Sequence, residues 1–270
     1  MSVKLDLHVH SESRRITFIN AGQLRKHLQQ NKLDGVAITN FFDISHAVSL
    51  KEELKEYIII VGQEIWSNDG HIIGLGLEKK INDFQSAEEV INCIHEQGGI
   101  AIAPHPYTFL GVGKKIMSLP IDAIESFNAY MGAAIIPNYL AKVSAIKRNI
   151  TQVASTDTTD PALVGRSYTE VMAENHDSIL ESIRTGKVKL CKRSLPVPVL
   201  FFVKNMLGFK NLKPCSIHAV PCLICGKSMA LKIFKRKYKC IDCGKILWSR
   251  IACCNGHYLC MECIIKRDTT

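Results

Sequence analysis

Apolar residues follow two different spacings along residues 3–190. Short β-branched runs predict strands, and stretches with apolar residues at helical spacing predict helices between several of them. The predicted strands are Val3–His10, Gly35–Thr39, Tyr57–Glu64, His71–Leu77, Gly99–Pro104, Ala123–Phe127 and Thr151–Ser155. The predicted helices are Ala21–Asn31, Ala47–Lys55, Ala87–Gln97, Asn138–Lys147 and His176–Thr185. Alternating strands and helices predict a largely parallel sheet, and seven strands favour an α/β barrel over an open sheet.

Four of the predicted strands end in residues that bind metal ions. His8 and His10 close the first strand, Glu64 ends the third, His105 follows the fifth and Asp157 follows the last. Residues two apart in a strand face the same side, so His8 and His10 can bind one ion. The reactive groups of such barrels gather at the carboxyl ends of the strands. The sequence therefore predicts a metal centre at that end.

Around these residues the chain resembles the polymerase and histidinol phosphatase (PHP) family. The resemblance rests on four ordered motifs: Asp6-Leu-His8-Val-His10-Ser11, Gly62-Gln-Glu64-Ile with His71-Ile-Ile-Gly-Leu, Ala103-Pro-His105-Pro106, and Ser155-Thr-Asp157 with Asp160-Pro-Ala-Leu-Val-Gly165. The stretches Ile124–Asn128 and Ser182–Gly186 also fit the family's layout. The resemblance implies a distorted seven-stranded TIM-like (βα) barrel and metal-assisted hydrolysis of phosphate esters.

The chain departs from the family at two positions that usually bind metal. Where the family commonly carries Thr-Asp-His, this chain has Thr39-Asn40-Phe41, and where it carries Ser-Asp-Ala-His, this chain has Thr156-Asp157-Thr158-Thr159. Both histidines help to hold one ion of a three-metal cluster in the family. We therefore expect one or two divalent ions (manganese, iron or zinc), held by His8, His10, Glu64, His105 and Asp157. Glu64 is suited to bridge two ions, and His71 is either a further ligand or a packing residue.

Two residues are candidates for contact with a phosphorylated substrate. Arg166 can clamp a phosphate, because its planar fork matches phosphate oxygens, or it forms a surface salt bridge. Asn128 is the second candidate. The expected activity is hydrolysis of a phosphate mono- or diester by a metal-activated hydroxide, with a nucleotide or nucleic acid favoured as substrate. The alternative is a catalytically silent PHP barrel that acts as an adaptor.

Charge and cysteine are both concentrated towards the end of the chain. Residues 1–186 hold 17 Lys and Arg against 22 Asp and Glu, whereas residues 187–270 hold 17 against 3, a net charge of +14. Nine of the 11 cysteines lie between Cys215 and Cys263. The Cys-x-x-Cys spacing favours metal binding over disulfides. We therefore predict a PHP-like domain over residues 1–192, a hydrophobic and basic linker over 193–212, and a zinc-binding module over 213–270.

The cysteine-rich module predicts one or two structural zinc ions. Cys222-x2-Cys225 and Cys240-x2-Cys243, fourteen residues apart, have the spacing of a zinc ribbon. A second set offers the ligands Cys253, Cys254, His257, Cys260 and Cys263. Only one of Cys253 and Cys254 is needed there, and Cys215 and His218 also have ligand spacing, so the pairing stays open.

Basic and aromatic residues alternate in the zinc module. The run Lys232–Lys239 contains Phe234 and Tyr238 among its basic residues, which suits single-stranded nucleic acid or a solvated hairpin face. A protein partner is a further candidate ligand of the module. The apolar stretch Leu195–Phe209 is too short to cross a membrane and is broken by prolines. With no apolar signal sequence after Met1, the expected location is cytoplasmic.

Overall fold

The computed structural model describes residues 1–13, 16–130, 135–193, 222, 224–225, 229–253, 255–260 and 263. The chain divides into two compact units, Met1–Val197 and Pro198–Thr270. Residues 194–212 of the predicted linker lie outside the described residues. Within the described part of the chain, no helix has the length and apolar character needed to cross a membrane.

The first unit contains eleven strands and five α-helices among its described residues. Its strands are β1 Ser2–Val9, β2 Glu12–Ser13, β3 Ile16–Thr17, β4 Gly35–Ile38, β5 Ile58–Ser67, β6 Gly70–Leu75, β7 Ile100–Ala103, β8 Ala123–Asn128, β9 Thr151–Ser155, β10 Tyr168–Met172 and β11 Val188–Cys191. Its α-helices are α1 Ala21–Asn31, α2 Ser45–Glu53, α3 Ala87–Glu96, α4 Ile135–Arg148 and α5 Ile179–Arg184. Two short 3-10 helices cover Gly113–Met117 and Pro161–Leu163.

Nine of these strands form one sheet in the order β11-β10-β1-β4-β5-β6-β7-β8-β9. The sheet nearly closes into a barrel, because the segment after β9 returns to β1. The backbone N–H of His10 donates to the carbonyl of Thr158 at 2.9 Å, and that of Asp157 donates to the carbonyl of His8 at 2.8 Å. The predicted mixed α/β barrel is therefore confirmed.

The predicted count of seven strands is wrong, and so is the largely parallel sheet. Strands β10 and β11 join the sheet through antiparallel pairing of β10 with β1 and of β11 with β10. Strand β6 runs antiparallel to both β5 and β7. Antiparallel neighbours can be joined by a tight turn and need no crossover helix. Among the described residues, β1 pairs in parallel with β4, β4 with β5, β7 with β8, and β8 with β9. An isolated parallel bridge joins Val9 to Thr158.

Two apolar clusters fill the two faces of the sheet. Alternate strand residues divide between them, as the two-residue repeat of a strand requires: Ala37 and Ile60 belong to one cluster, and Val36 and Ile59 to the other. The second cluster also contains the buried faces of helices α1 and α3. Helix α3 begins at a capping box, in which Ser86 and Glu89 bond each other's backbone N–H groups.

The second unit is built on one antiparallel hairpin. Its strands are β12 Met229–Lys239 and β13 Ile246–Cys253, with Met229 opposite Cys253 and Lys239 opposite Ile246. Among the described residues of this unit, one buried cluster contains Leu259 and three cysteines, Cys240, Cys260 and Cys263.

Candidate metal centre

The first donor group begins at the end of β1, with His8 in the strand and His10 directly after its last residue. The Nε2 atoms of His8 and His10 lie 3.2 Å apart, because alternate residues of a strand face the same side. Oε2 of Glu64 lies 3.1 Å from both nitrogens. Oδ1 of Asp157 lies 3.3 Å from the nitrogen of His8 and 3.4 Å from that of His10. These four buried side chains form the first donor group.

The second donor group shares Glu64 with the first. Oε1 of Glu64 lies 2.6 Å from Nδ1 of His71 and 3.1 Å from Nε2 of His105. The latter nitrogen is also 3.8 Å from Oδ2 of Asp157. Glu64 therefore presents one carboxylate oxygen to each group, which is the arrangement that a bridging ligand needs.

At these residues, burial and nearby charges shift the pKa values in opposite directions. Burial alone would raise the pKa of the Glu64 carboxyl, but His71 and His8 hold that pKa well below its usual range. Burial would lower the pKa of His8, but Asp157 and Glu64 raise it well above its ordinary value. At His71 burial prevails and lowers the pKa. The carboxylates thus attract positive charge, which either protons or metal ions can supply.

Glu125 contacts His8 on the side of the ring that faces away from Glu64. The sequence did not predict Glu125 as a site residue. Its Oε1 lies 3.1 Å from Nδ1 of His8, the ring nitrogen that does not face Glu64. Its Oε2 accepts the backbone N–H of His105 at 2.7 Å. A carboxylate on the second nitrogen of a ligand histidine fixes its tautomer and ring orientation. The signal available in the sequence is the position of Glu125 within a stretch that fits the PHP layout.

Asp6 holds the segment that carries Asp157. Its Oδ1 accepts the backbone N–H of Thr156 at 3.0 Å, and its Oδ2 accepts that of Gly165 at 2.9 Å. Burial raises the pKa of Asp6 to about 6, although these hydrogen bonds lower it in part. Asp6 belongs to the first motif of the PHP resemblance, but its spacing gave no reason to predict it as a site residue.

The backbone is strained at two of the donors. His105 has a φ of 28° and Asp157 a φ of 57°, both in the left-handed region. Such a conformation costs a residue other than glycine about 1–3 kcal/mol. It persists because the backbone N–H of each residue is bound, that of His105 by Glu125 and that of Asp157 by His8. The strain therefore lies where two donors are aimed at the centre.

The two predicted substrate contacts have different surroundings. Asn128 is buried, and its Nδ2 donates to Oδ2 of Asp157 at 2.9 Å and to Oε2 of Glu125 at 3.0 Å. An amide nitrogen has two hydrogens, so both are used inside the centre, and Asn128 positions carboxylates. Arg166 has an exposed side chain just after Gly165. Its contact with phosphate stays a prediction.

Phe41 lies where the PHP family commonly carries a histidine. Its ring stacks on His10, with centroids 4.6 Å apart and planes 21° apart. The preceding Asn40 turns towards the loop after β1, where its Oδ1 accepts the backbone N–H of Ser11 at 2.8 Å. Among the described residues, neither Phe41 nor Thr159 belongs to a donor group. The ring of Phe41 thus lies against the first donor group and contributes no donor atom to it.

The donors present fit divalent ions. Bonds of about 2.0–2.2 Å to nitrogen and oxygen place neighbouring ligands of a tetrahedral ion about 3.4 Å apart. The corresponding separations from His8 and His10 to Glu64 and Asp157 are 3.1–3.4 Å. Imidazole and carboxylate together suit zinc, iron and manganese.

The ligands of the second unit fall into two interleaved groups. The first zinc group is Cys222, Cys225, Cys253 and His257, and the second is Cys240, Cys243, Cys260 and Cys263. The pairs Cys222/Cys225 and Cys240/Cys243 thus fall in separate groups, which is one of the pairings that the sequence left open. Strand β12 has 11 residues, which span roughly 35 Å, so Cys225 and Cys240 lie at opposite ends of the hairpin. Strand β13 returns the chain to Cys225 and brings Cys253 beside it.

Sulfur separations in these groups fit zinc. The Sγ atoms of Cys225 and Cys253 are 3.5 Å apart, as are those of Cys243 and Cys260. A disulfide would require about 2.05 Å, whereas two thiolates on one zinc ion at about 2.3 Å lie about 3.8 Å apart. Backbone N–H groups outweigh burial at Cys240 and lower its pKa to about 6, which favours a thiolate. Cys254, Cys215 and His218 lie outside the described residues.

Solved structures share the barrel fold. A two-domain protein containing a predicted PHP-like metal-dependent phosphoesterase from Bacteroides vulgatus ATCC 8482 matches with a TM-score of 0.58 at 15% identity, over 72% of this chain. This chain spans 65% of the length of that protein. PsfC from Pseudomonas syringae PB-5123 matches with a TM-score of 0.56 at 13% identity, over 76% of this chain and 97% of PsfC. These matches show the fold class of the first unit, which is a nearly closed α/β barrel.

Sequence identity shows the family of the chain. The chain is 35% identical over 150 residues to the uncharacterized protein MJ1587 of Methanocaldococcus jannaschii, covering 50% of this chain and 88% of that protein. The chain belongs to the family of MJ1587. No protein-family model matches it.

Proposed function

We propose that the first unit is a metal-dependent phosphoesterase that hydrolyses a phosphate mono- or diester. The observation that carries the proposal is the convergence of two buried donor groups on the two oxygens of Glu64. Buried charged groups are costly unless ions or partners compensate them, and no packing requirement explains four histidines around one carboxylate. The likeness to a fold described as a PHP-like phosphoesterase supports the same function.

The chain's own residues hold and orient the ions. His8, His10 and Asp157 would bind one ion, and His71 and His105 the other, with Glu64 between them. Bound divalent ions lower the pKa of water and offset the negative charge of phosphate oxygens. Arg166 would bind a phosphate oxygen through its planar guanidinium group. We propose two ions in the barrel, chosen from manganese, iron and zinc, because the structure offers two donor groups.

A nucleotide or nucleic acid is the favoured substrate because the second unit is basic. Arg236, Lys237 and Lys239 are exposed on β12, and the rings of Tyr238 and Tyr258 stack with centroids 5.5 Å apart. Basic side chains beside aromatic rings suit single-stranded nucleic acid. The two interleaved zinc groups would hold these side chains in place as structural sites.

The alternative function is a silent barrel whose zinc module binds nucleic acid or a protein. The observation in its favour is Phe41, which stacks on His10 in the place of a ligand. Ion content does not separate the two functions, since a silent barrel can keep its metal. Turnover does.

The test is turnover of phosphate esters by the purified full chain with Mn²⁺. We expect hydrolysis of p-nitrophenyl phosphate, bis(p-nitrophenyl) phosphate or a short single-stranded oligonucleotide, and its loss in a His8→Ala, His10→Ala variant. A His176→Ala variant is the matched control, because His176 is exposed and lies near Val3 and Asp34 at the amino ends of β1 and β4. Absence of metal-dependent turnover on all three substrates would favour the adaptor.

A further inference from the structure

A serine–histidine contact lies next to the metal centre and takes no part in holding it. Ser11 directly follows His10, and its Oγ lies 2.8 Å from Nδ1 of His46. Ser11 is fully buried, whereas His46 is half-buried in the first turn of α2. The two residues follow the carboxyl ends of β1 and β4, where α/β barrels gather their reactive groups. His46 therefore stands at the mouth of the barrel.

Ser11 is itself held by two hydrogen bonds. Its backbone N–H donates to Oδ1 of Asn40 at 2.8 Å, and Nδ2 of Asn40 donates to Oγ of Ser11 at 3.1 Å. Asn40 is followed by Phe41, whose ring stacks on His10. The contact to His46 is thus tied to the same two segments that position His10.

The second ring nitrogen of His46 is neither hydrogen-bonded nor fully buried within the described part of the chain. Nε2 has no partner among the described residues, and it is not one of their buried polar atoms that lack one. An imidazole with one nitrogen anchored and the other unbonded is suited to proton transfer to a bound molecule. A role limited to tying two loops together would not require the second nitrogen to stay unbonded.

We propose that His46 is the proton donor to the leaving group, an inference that rests on the proposed phosphoesterase function. In the imidazolium form, Nδ1–H donates to Oγ of Ser11 and Nε2–H faces the ester. As the bond from phosphorus to the leaving oxygen breaks, that oxygen takes the bonding electron pair and the Nε2 proton, and departs as an alcohol. His46 is left neutral, with its proton on Nδ1, and takes back from solvent the proton that the attacking water has released.

The dependence of rate on the leaving group separates this role from a structural one. A p-nitrophenolate ion leaves without a proton, whereas phenolate and alkoxide ions are poor leaving groups that need one. A proton donor is worth about 10²–10⁴-fold in rate where the proton is needed. A residue that only holds a loop would affect both kinds of ester alike.

The experiment compares phenyl phosphate with p-nitrophenyl phosphate, using the full chain with Mn²⁺. For His46→Gln we expect kcat on phenyl phosphate to fall about 10²-fold or more, kcat on p-nitrophenyl phosphate to change by a few-fold at most, and manganese content to stay constant. Ser11→Ala should also lower kcat on phenyl phosphate more than kcat on p-nitrophenyl phosphate, but by a smaller factor than His46→Gln. His176→Gln, at the amino ends of the strands, should leave both rates unchanged.

The outcomes separate the two claims. Equal losses on both esters, no loss on either, or a fall in manganese content for His46→Gln would each overturn the role of His46 and leave the phosphoesterase function standing. No turnover of either ester by the unaltered chain would overturn the function, and the role of His46 with it.

Discussion

At the residue scale, the geometry of the metal centre depends on which atom of each side chain faces its neighbours. His8 presents Nε2 to Glu64 and Nδ1 to Glu125, so one ring connects a donor group to its support. The candidate ligands could be predicted because each stands at a strand end beside an apolar run. Glu125 could not be assigned its role, because that role depends on a contact with a residue 117 positions away. Spacing along the chain carries no such information.

Replacement of Glu125 by Gln should weaken metal binding and leave the donor groups complete. Gln retains the shape but not the charge, so Nδ1 of His8 loses its anionic partner. Loss of such a supporting carboxylate typically costs 10–100-fold in metal affinity, which calorimetric titration with Mn²⁺ would measure. Glu170→Gln is the control, since Glu170 lies on β10 and accepts the hydroxyl of Ser2 at the surface. Unchanged affinity in Glu125→Gln would show that Glu125 does not tune the centre.

At the element scale, the seven predicted strands and five predicted helices all occur in the structure near their predicted bounds. Strands β10 and β11 were missed because their sequences, YTEVM and VKLC, mix apolar and charged residues and are short. Their place beside β1 is decided by tertiary pairing, which strengthens weak local preferences. The direction of β6 has a local signal in the sequence, since Asp69-Gly70 between two apolar runs is typical of a hairpin.

The hairpin β12–β13 also links the two zinc groups, so they should not be independent. Cys225→Ser removes a ligand from the first zinc group at one end of the hairpin and frees Cys253, which ends β13. We expect the zinc content to fall from about two ions per chain to less than one, because structural zinc and folding are coupled. Elemental analysis would measure this, with Cys93→Ser in α3 as the control. Retention of one tightly held ion would mean that the groups form separately.

At the scale of the whole molecule, net charge divides the chain into an acidic part and a basic part. Residues 1–186 carry a net charge of −5 and residues 187–270 one of +14. This division could be read from composition alone, because net charge depends only on which residues are present. The interleaving of the zinc ligands could not, since spacing alone allows several pairings. The structure resolves these ligands into two groups of four.

Neutralising the basic strand should weaken the binding of nucleic acid in a salt-dependent way. In the full chain, an Arg236→Gln, Lys239→Gln variant removes two exposed cations from β12. The slope of log affinity against log salt for a single-stranded oligonucleotide should become shallower by about 0.7 for each phosphate that the variant leaves unneutralised. Fluorescence anisotropy at several salt concentrations would measure it. A Lys51→Gln, Lys55→Gln variant of the first unit should retain the original slope, and equal slopes for all three proteins would rule out this strand as the binding surface.

The position of β1 inside the sheet has a consequence for biosynthesis. This strand is translated before the other strands of its sheet, but it lies between β4 and β10, and Asp6 binds Thr156, 150 positions later. At about 5–20 residues per second, translation takes roughly 8–30 s to cover that distance. During that time one edge of β1 lacks its native neighbour, a state that favours association with other chains. The nascent protein therefore carries His8 and His10 long before Asp157 has been translated, and it can complete the first donor group only then.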